Sequence, residues 1–250
     1  MENSSIKLRV VSSSSLGNAY ALDTGNEILL LEAGVKYKDM AKAINYRIDE
    51  VVGCLVTHVH GDHCKYSKDY SAHGIHLFGC AEFLKEKQTA YAMEHCIAPE
   101  KTTHIESFDV VPFHNFHDVE IYGYLIRHPQ MGVMLFSTDS YKIGMTLMGI
   151  DHFLIEANYS DALLKENVWN GNINKAQADR IMLSHMSLDY CVQYLRDCKA
   201  EETAKTITLC HLSERNSNPE LFRNTVAGAF GVPCYCATKG LIVELNKDRI

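Results

Sequence analysis

Residues 54–63 read CLVTHVHGDH, and they determine how the rest of the chain is interpreted. After an apolar, strand-like run, this stretch places four metal-competent side chains together: His58, His60, Asp62 and His63. Alternate side chains of an extended segment point the same way, so His58 and His60 can share one ion. Gly61 allows a turn that directs Asp62 and His63 to a second ion. The spacing therefore predicts two divalent ions, and a solvated histidine-rich loop is the alternative.

Four later segments each bring a metal-competent side chain after an apolar run. VPFHNF precedes His117 and Asp118, LFST precedes Asp139, RIMLS precedes His185, and TITLC precedes His211. A single histidine at a strand end is weak evidence. Because the pattern recurs in a chain that also carries the 58–63 cluster, it indicates that these ends converge in space. The spacing alone does not decide between His117 and His114.

The length and composition are those of a globular protein. The 250 residues are 46% apolar and 22% charged, and no linker or low-complexity tract divides them, so we expect a single domain over 1–250. No apolar run reaches the ~20 residues that span a bilayer. The N-terminal MENSSIKLRVV has neither a basic start nor a long apolar core. No secretory signal is therefore predicted, and the expected location is cytoplasmic.

Charge and cysteine usage narrow the function. A net charge of −7 argues against a generic polyanion binder, because non-specific nucleic-acid affinity comes chiefly from lysine and arginine. Two bound cations would still make the site locally positive, so a phosphate substrate stays compatible. The nine cysteines contain no CxxC pair, which argues against a zinc ribbon or a disulfide scaffold. We expect reduced and mostly buried thiols, with a packing role for Cys64.

Hydrophobic periodicity predicts strands and helices that alternate in groups. Strands are expected at 6–11, 19–23, 27–31, 51–56, 75–78, 107–112, 121–127, 133–137, 153–157, 206–210 and 241–245. Helices are expected at 36–45, 81–93, 175–182, 187–198 and 219–230. The polar segment 12–18 is interpreted as an ordinary hairpin turn in preference to a substrate contact. This order is compatible with two sheets packed between two helical layers.

The motifs resemble those of a known family. His-x-His-x-Asp-His at 58–63 resembles the signature of the metallo-β-lactamase superfamily. Eight segments are similar, in order, to those of its WalJ/YycJ-type nucleases: SSSSLGNAY, LLLEAGV, THVHGDH, PFHNFHDVEIYGY, STDS, LIEANYSD, LSHMS and CHLSERNSN. The resemblance covers nearly the whole chain. It implies an α/β (α+β) fold, the metallo-β-lactamase αββα sandwich, and a DNA exonuclease of 5′-to-3′ polarity.

The resemblance also implies a residue for each role. The metal ligands would be His58, His60 and His117 for the first ion, Asp62, His63 and His211 for the second, and Asp139 as a bridge. His117 is preferred over His114 because Asp118 completes the family's His-Asp pair. Zinc suits such a set, and manganese accepts it. Glu156 and His185 resemble the pair that protonates the leaving oxygen in related RNA-processing enzymes. With Asp62, they are the expected catalytic residues.

Three positions depart from the family pattern. Glu32 replaces the usual aspartate, Leu16 interrupts a Ser-Gly-Asn element, and Tyr159 occupies a place where histidine is common. The first two departures affect the expected loop geometry, and the third affects the expected substrate contacts. None of them touches the implied metal ligands.

The expected function is hydrolysis of a phosphodiester by an enzyme with two divalent ions, zinc or manganese. The substrate would be nucleic acid, DNA ahead of RNA, or a small phosphodiester, with no membrane partner and an undetermined oligomeric state. A cyclic-nucleotide or other small phosphodiesterase of the same fold is the main alternative. A thioester or lactam hydrolase uses a similar ligand set, and a metal-stabilised binding protein is the non-enzymatic alternative.

Overall fold

The computed structural model describes residues 5–87 and 91–247. The strands are β1 Ile6–Ser14, β2 Gly17–Asp23, β3 Ile28–Leu31, β4 Val51–Leu55, β5 Leu77–Gly79, β6 Glu94–Cys96, β7 Thr103–Ile105, β8 Phe108–Phe116, β9 Tyr122–His128, β10 Gly132–Ser137, β11 Lys142–Ile143, β12 His152–Glu156, β13 Thr206–Cys210, β14 Cys234–Cys236 and β15 Ile242–Leu245. The helices are α1 Tyr37–Ala43, α2 Gly61–Cys64, α3 Ser67–Ala72, α4 Ala81–Lys87, α5 Asp161–Trp169, α6 Lys175–Ser184, α7 Leu188–Asp197, α8 Ala200–Thr203 and α9 Pro219–Phe230.

The strands form two mixed sheets. The first has the order β15-β1-β2-β3-β4-β5-β6, antiparallel as far as β3 and parallel from β3 to β6. The second has the order β11-β8-β9-β10-β12-β13-β14, with β7 also paired to β8, and is parallel from β10 to β14. Both sheets therefore contain a block of parallel strands whose carboxyl ends can carry functional loops.

Alternation along the second sheet separates two cores. Met134 and Phe136 of β10 join the cluster shared with the first sheet, whereas Leu135 joins the cluster beneath α7 and α9. Side chains alternate between the faces of a strand, so one face of this sheet meets the other sheet and the opposite face meets helices.

Helices cover the outer surfaces of both sheets. Met40 of α1 and Phe83 of α4 are fully buried in the core of the first sheet. Leu195 of α7 and Phe222 of α9 are fully buried against the second sheet. The layers run helix, sheet, sheet, helix, as the sequence predicts.

Some predicted elements have different bounds. The serine-rich segment is mostly strand, because β1 continues to Ser14 and β2 begins at Gly17. The helix expected over 81–93 ends at Lys87 in the described residues, a 3₁₀ turn forms at Tyr91–Met93, and 88–90 lie outside the described residues. Helix α5 was not predicted. Its apolar residues make only a small cluster of their own with Tyr159, Ile173 and Ala178 of neighbouring segments.

In the described ranges, no helix is both long enough and apolar enough to cross a membrane.

Candidate metal centre

The metal-competent residues lie where strands of both sheets end. His58 and His60 follow β4. In the second sheet, Asp139 comes two residues after β10, and His211 comes directly after β13. The carboxyl ends of parallel strands meet at one edge of a sheet, and the two sheets bring their edges together here. The convergence predicted from the sequence is therefore present.

Three overlapping groups of side chains could hold metal ions. Within each group, the candidate ligand atoms all lie within 4.8 Å of one another. The groups are His58, His60, His117 and Asp139; then Asp62, His63, His211 and Asp139; and finally Glu156, His185, His211 and Asp139. The first two have the membership that the resemblance implies, and Asp139 belongs to all three.

Asp139 occupies the centre of the cluster. Its Oδ2 lies 3.1 Å from His63 Nε2 and 3.8 Å from His58 Nε2, and its Oδ1 lies 3.1 Å from His211 Nδ1. One carboxylate thus contacts histidines of both predicted ion sites. This is the position that a bridging ligand needs.

The outer part of the first group is more open. His60 Nδ1 and His117 Nε2 are 3.1 Å apart, and Asp118 Oδ1 lies 3.1 Å from the same His117 nitrogen. The side chain of Asp118 is half exposed, whereas that of His117 is almost buried. His114 is exposed, packs edge-on against Tyr122, and belongs to none of the three groups.

Unpartnered nitrogens show that the cluster suits cations. His58 Nε2, His117 Nδ1 and His211 Nε2 are buried and have no hydrogen-bond partner in the described part of the chain. An unsatisfied buried polar atom costs about 1–3 kcal/mol. Three such atoms, with carboxylates between them, form a donor set of imidazole nitrogen and carboxylate oxygen that divalent transition metals prefer.

The electrostatics of the cluster are also those of a cation site. Burial would lower the pKa of His211, but Asp139, Asp62 and Glu156 outweigh burial and raise the pKa to about 10. Burial would raise the pKa of Asp139, yet His211 and His63 hold it well below the usual carboxyl range. The buried carboxylate therefore needs positive charge beside it, and metal ions would replace the protons on the histidines.

Glu32 supports two of the candidate ligands from behind. Its Oε1 lies 3.3 Å from His63 Nδ1 and accepts a 2.6 Å hydrogen bond from Thr57 Oγ1, which in turn lies 2.8 Å from His58 Nδ1. A carboxylate that orients the second ring nitrogen of a ligand histidine is a common device around metal ions. The longer side chain, a departure from the family pattern, therefore still reaches the ligands.

Asn18 lies in the cluster, although the sequence analysis preferred a hairpin turn to a substrate contact for its segment. Its Nδ2 lies 3.1 Å from His63 Nε2 and 3.5 Å from Asp62 Oδ2, and the residue is fully buried. The interpretation of 12–18 as a hairpin turn hid this contact. The signal that could have revealed it is the sequence Gly-Asn-Ala-Tyr running directly into an apolar strand, which places Asn18 inside β2.

His185 and Glu156 form a pair beside the cluster. His185 Nδ1 and Glu156 Oε1 are 2.8 Å apart, and the same oxygen lies 3.2 Å from His211 Nδ1. Backbone N–H groups of Ser140 and Met186 donate to the other Glu156 oxygen over 2.9 and 3.3 Å. The fully buried Glu156 thus fixes His185 through Nδ1, which leaves Nε2 as the nitrogen available for proton transfer.

Strained backbone accompanies these residues. Glu32, Asp139 and His211 have φ values of 67°, 48° and 52°. Side-chain-bearing residues adopt this left-handed region uncommonly, at a cost of about 1–3 kcal/mol each, and such residues cluster at functional sites. Each one lies within two residues of a strand end, where the reversal directs its side chain into the cluster.

Two clefts adjoin the cluster, and Arg180 contributes to the lining of both. One, of about 370 Å³, is lined by residues that include Asn158, His185 and Ser213. The other, of about 550 Å³, is lined by residues that include His117 and Asp118. A ligand that contacts Arg180 could therefore enter either cleft and reach candidate metal ligands, His117 in one and His211 in the other. Tyr159, the departure expected to alter substrate contacts, is instead 6% exposed and packed with Leu164.

The layers and the ligand-bearing strand ends together define the metallo-β-lactamase fold. Solved structures agree: the chain is similar to the metallo-β-lactamase-fold protein YhfI from Bacillus subtilis, with a TM-score of 0.73, 15% identity, and coverage of 96% of this chain and 99% of that chain. Human tRNase Z, short form, gives a TM-score of 0.65, 14% identity, and coverage of 96% and 99%. These comparisons confirm the predicted fold class.

In sequence, the chain is similar to two proteins named as exodeoxyribonucleases. YycJ of Bacillus anthracis is 27% identical over 242 residues, which cover 87% of this chain and 86% of that protein. WalJ of Streptococcus pneumoniae is 25% identical over 252 residues, which cover 90% and 88%. No family model matches the chain. The predicted resemblance to WalJ/YycJ-type proteins is confirmed.

Proposed function

We propose that the protein is a phosphodiesterase that depends on two divalent metal ions and acts on nucleic acid as a DNA exonuclease. The observation that carries the proposal is Asp139, whose carboxylate lies 3.8 Å from His58 of one candidate ion site and 3.1 Å from both His63 and His211 of the other. The similarity to two exodeoxyribonucleases over most of their length supports DNA as the substrate. Polarity of 5′ to 3′ belongs to the proposal through the family resemblance alone.

The proposed ligands are those of the first two groups. His58, His60 and His117 would hold one ion, Asp62, His63 and His211 the other, and Asp139 both. Zinc or manganese fits such a mixture of imidazole and carboxylate. When bound, a pair of divalent ions activates water for attack and neutralises charge on a phosphate.

The chain's own residues would position the reacting groups. Glu32 orients the imidazole of His63 from Nδ1 over 3.3 Å, which directs Nε2, the nitrogen 3.1 Å from Asn18 Nδ2, into the cluster as the atom available to an ion. Glu156 holds His185 with one nitrogen directed away from it, so His185 can donate a proton to the departing sugar oxygen. Asp62 lies 3.3 Å from His63 and 3.5 Å from His211. From this position its carboxylate can help to hold the second ion and to orient the water molecule that becomes the nucleophile.

We further propose that 1–250 form one catalytic domain and that the protein works in the cytoplasm, where DNA is accessible to it. The nine cysteines are all free, seven of them buried, in accord with a reducing compartment.

A cleavage assay tests the main proposal. Purified protein loaded with zinc, manganese or magnesium would be incubated with end-labelled single- and double-stranded DNA and RNA, with Asp139→Ala as the inactive control. We expect DNA to be shortened stepwise from the 5′ end. Intact nucleic acid with every metal would overturn the proposal, and hydrolysis of cyclic nucleotides alone would establish the small-phosphodiesterase alternative.

A further inference from the structure

Two exposed aromatic rings flank the candidate metal centre. Phe116 directly precedes His117, and Tyr141 comes two residues after Asp139. Their side chains are 42% and 38% exposed, and their ring centroids are 5.9 Å apart at an angle of 53°. The contacts that hold these two rings next to the cluster distinguish them from other exposed aromatic side chains.

The backbone of the aromatic pair is fixed to the site. Phe116 lies opposite Lys142 in the β8–β11 pairing, and its N–H donates to Ser140 Oγ over 3.0 Å. Ser140 is fully buried, and its own N–H donates to Glu156 over 2.9 Å. The rings are therefore carried by backbone that is hydrogen-bonded to a predicted catalytic residue.

Gly144 leaves room for the Phe116 ring, and Lys142 places an ammonium group beside it. A Cβ atom on Gly144 would lie 2.9 Å from Phe116 Cε2, so a larger residue there would push the ring out of this position. Lys142 Nζ lies 5.9 Å from the centroid of the Phe116 ring, within the range of a cation–π contact. An aromatic surface with an adjacent ammonium group suits a ligand that has both a flat ring and a phosphate.

The charge balance of the chain makes such a surface useful. With a net charge of −7, the protein has no general excess of lysine and arginine to neutralise phosphates. Stacking of a base on an aromatic side chain needs no net charge and tolerates any base, because every base has a π face. Each stacked base changes affinity by about 5- to 150-fold.

We propose that Phe116 and Tyr141 form a stacking platform for an unpaired nucleobase next to the phosphate being cleaved, with Lys142 contacting a neighbouring phosphate. The inference rests on the proposed nuclease function and deepens it, since it specifies single-stranded ends as the form of nucleic acid that is bound. A base inside a duplex is unavailable to the platform, because the neighbouring base pairs cover both its faces.

Equilibrium binding tests the platform without cleavage. Fluorescence anisotropy would measure the affinity of metal-loaded protein for a labelled phosphorothioate oligothymidylate and for the same strand with abasic sites. We expect Phe116→Leu and Tyr141→Leu each to weaken binding of the oligothymidylate by about tenfold, while Phe116→Tyr and Tyr141→Phe retain the wild-type affinity. All four variants should bind the abasic strand as the wild type does. Tyr46→Leu removes an aromatic ring that is 72% exposed outside the described site and serves as the matched control.

Three outcomes would overturn the platform. The leucine variants could bind both strands with the wild-type affinity, or bind both strands more weakly by the same factor. Either result would mean that the rings do not contact bases. Alternatively, the wild type could form dimers that Phe116→Leu dissociates with no change in strand affinity, which would make the pair an interface between copies. Cleavage assays separate the platform from the wider proposal. If the wild type digests DNA and the leucine variants digest it equally well, the platform is rejected and the nuclease function is retained.

Discussion

At the scale of single residues, His185 is the one whose role is most open to test. The 2.8 Å contact with Glu156 is the basis for proposing His185 as an oriented proton donor, and His185 also belongs to a group whose atoms could hold a metal. The two roles differ in what happens when the imidazole is removed. A general acid can be lost without loss of metal, whereas a ligand cannot.

We expect His185→Ala to retain two metal ions per chain while cleavage of nucleic acid falls by about 10²- to 10⁴-fold. Hydrolysis of bis(p-nitrophenyl) phosphate should fall far less, because its leaving group needs little protonation. Metal analysis and the two rate measurements give the answer together. A missing ion, or equal losses on both substrates, would assign His185 to ligation or substrate positioning.

The choice between His117 and His114 is a second question at this scale. His117 lies 3.1 Å from His60 in the first group, and His114 points to Tyr122 on the exposed side of β8. We therefore expect His117→Ala to lose about one metal equivalent and its activity, and His114→Ala to keep both. Metal content measured on the two purified variants checks this, and the reverse pattern would contradict the proposed ligand set.

At the scale of secondary-structure elements, helix α9 illustrates local sequence signals that the structure uses directly. Asn218 Oδ1 accepts from the Leu221 N–H over 3.0 Å, Pro219 follows as the first helical residue, and Gly231 ends the helix with a φ of 64°. These features agree with the apolar spacing of Phe222 and its neighbours. The helix could therefore be predicted with its bounds.

Removal of this cap should cost stability and nothing else. We expect Asn218→Ala to lower the free energy of unfolding by about 1 kcal/mol, because the Leu221 N–H loses its partner. Asn218→Asp, which keeps an acceptor, should stay near the wild type. Urea unfolding measures both, and a loss of activity in the alanine variant at unchanged metal content would show that α9 has a function beyond packing.

Other elements depend on partners distant in sequence, and for that reason they were missed. Strands β6, β11 and β14 are two or three residues long and exist only by pairing with β5, β8 and β13. Helix α5 has a short apolar face that periodicity does not distinguish from a loop.

Among the candidate site residues, those of the 58–63 cluster can be predicted from their spacing alone. The contacts of Asn18 with His63 join positions that only the packing of β2 against α2 brings together.

An ion-pair cluster joins β1, β2 and the segment after α1. Asp23 is 3% exposed, accepts from Arg9 Nε over 2.9 Å, and receives two bonds of 3.0 and 2.9 Å from Arg47 Nη1. Burial would raise the pKa of Asp23. The bond from the Gly25 N–H and the bonds from both arginines outweigh burial, so the pKa lies below its usual value.

The sign of the pH dependence follows from this lowered pKa. Asp23 contributes stability above its unfolded pKa of about 3.9 and loses it as the pH falls through the lower folded value. At pH 7 we expect Asp23→Asn to reduce the free energy of unfolding by about 2 kcal/mol. The difference in the free energy of unfolding between the variant and the wild type should become smaller below pH 4. Urea unfolding of metal-free protein at several pH values measures this, and a constant gap would contradict it.

At the scale of the whole molecule, the candidate ligands divide between the two sheets. His58, His60, Asp62 and His63 come from the first sheet and its α2 turn, and His117, Asp139 and His211 come from the second. Bound ions would therefore connect the two sheets through side chains. Ligand binding to the folded state alone stabilises it by about 4 kcal/mol when the free ion is present at 1,000 times Kd.

We accordingly expect chelation to lower Tm by on the order of 10 °C, given the size of the chain. Thermal unfolding would be compared for metal-loaded, chelated and reloaded protein, with metal content measured on each sample. Asp139→Ala should respond much less to the chelator. Identical melting of fully loaded and fully stripped wild type would show that the ions add nothing to stability.

The division of ligands also has a consequence for biosynthesis. His63 and His211, both proposed for the second ion, are 148 positions apart, and that site is incomplete until His211 has left the ribosome and β13 has paired with β12. A nascent chain that has exposed only residues 58–63 can bind ions weakly and exchange them with the cellular pool. If these residues hold the ions as proposed, tight metal binding would come late in synthesis, and the enzyme would be inactive during its own translation.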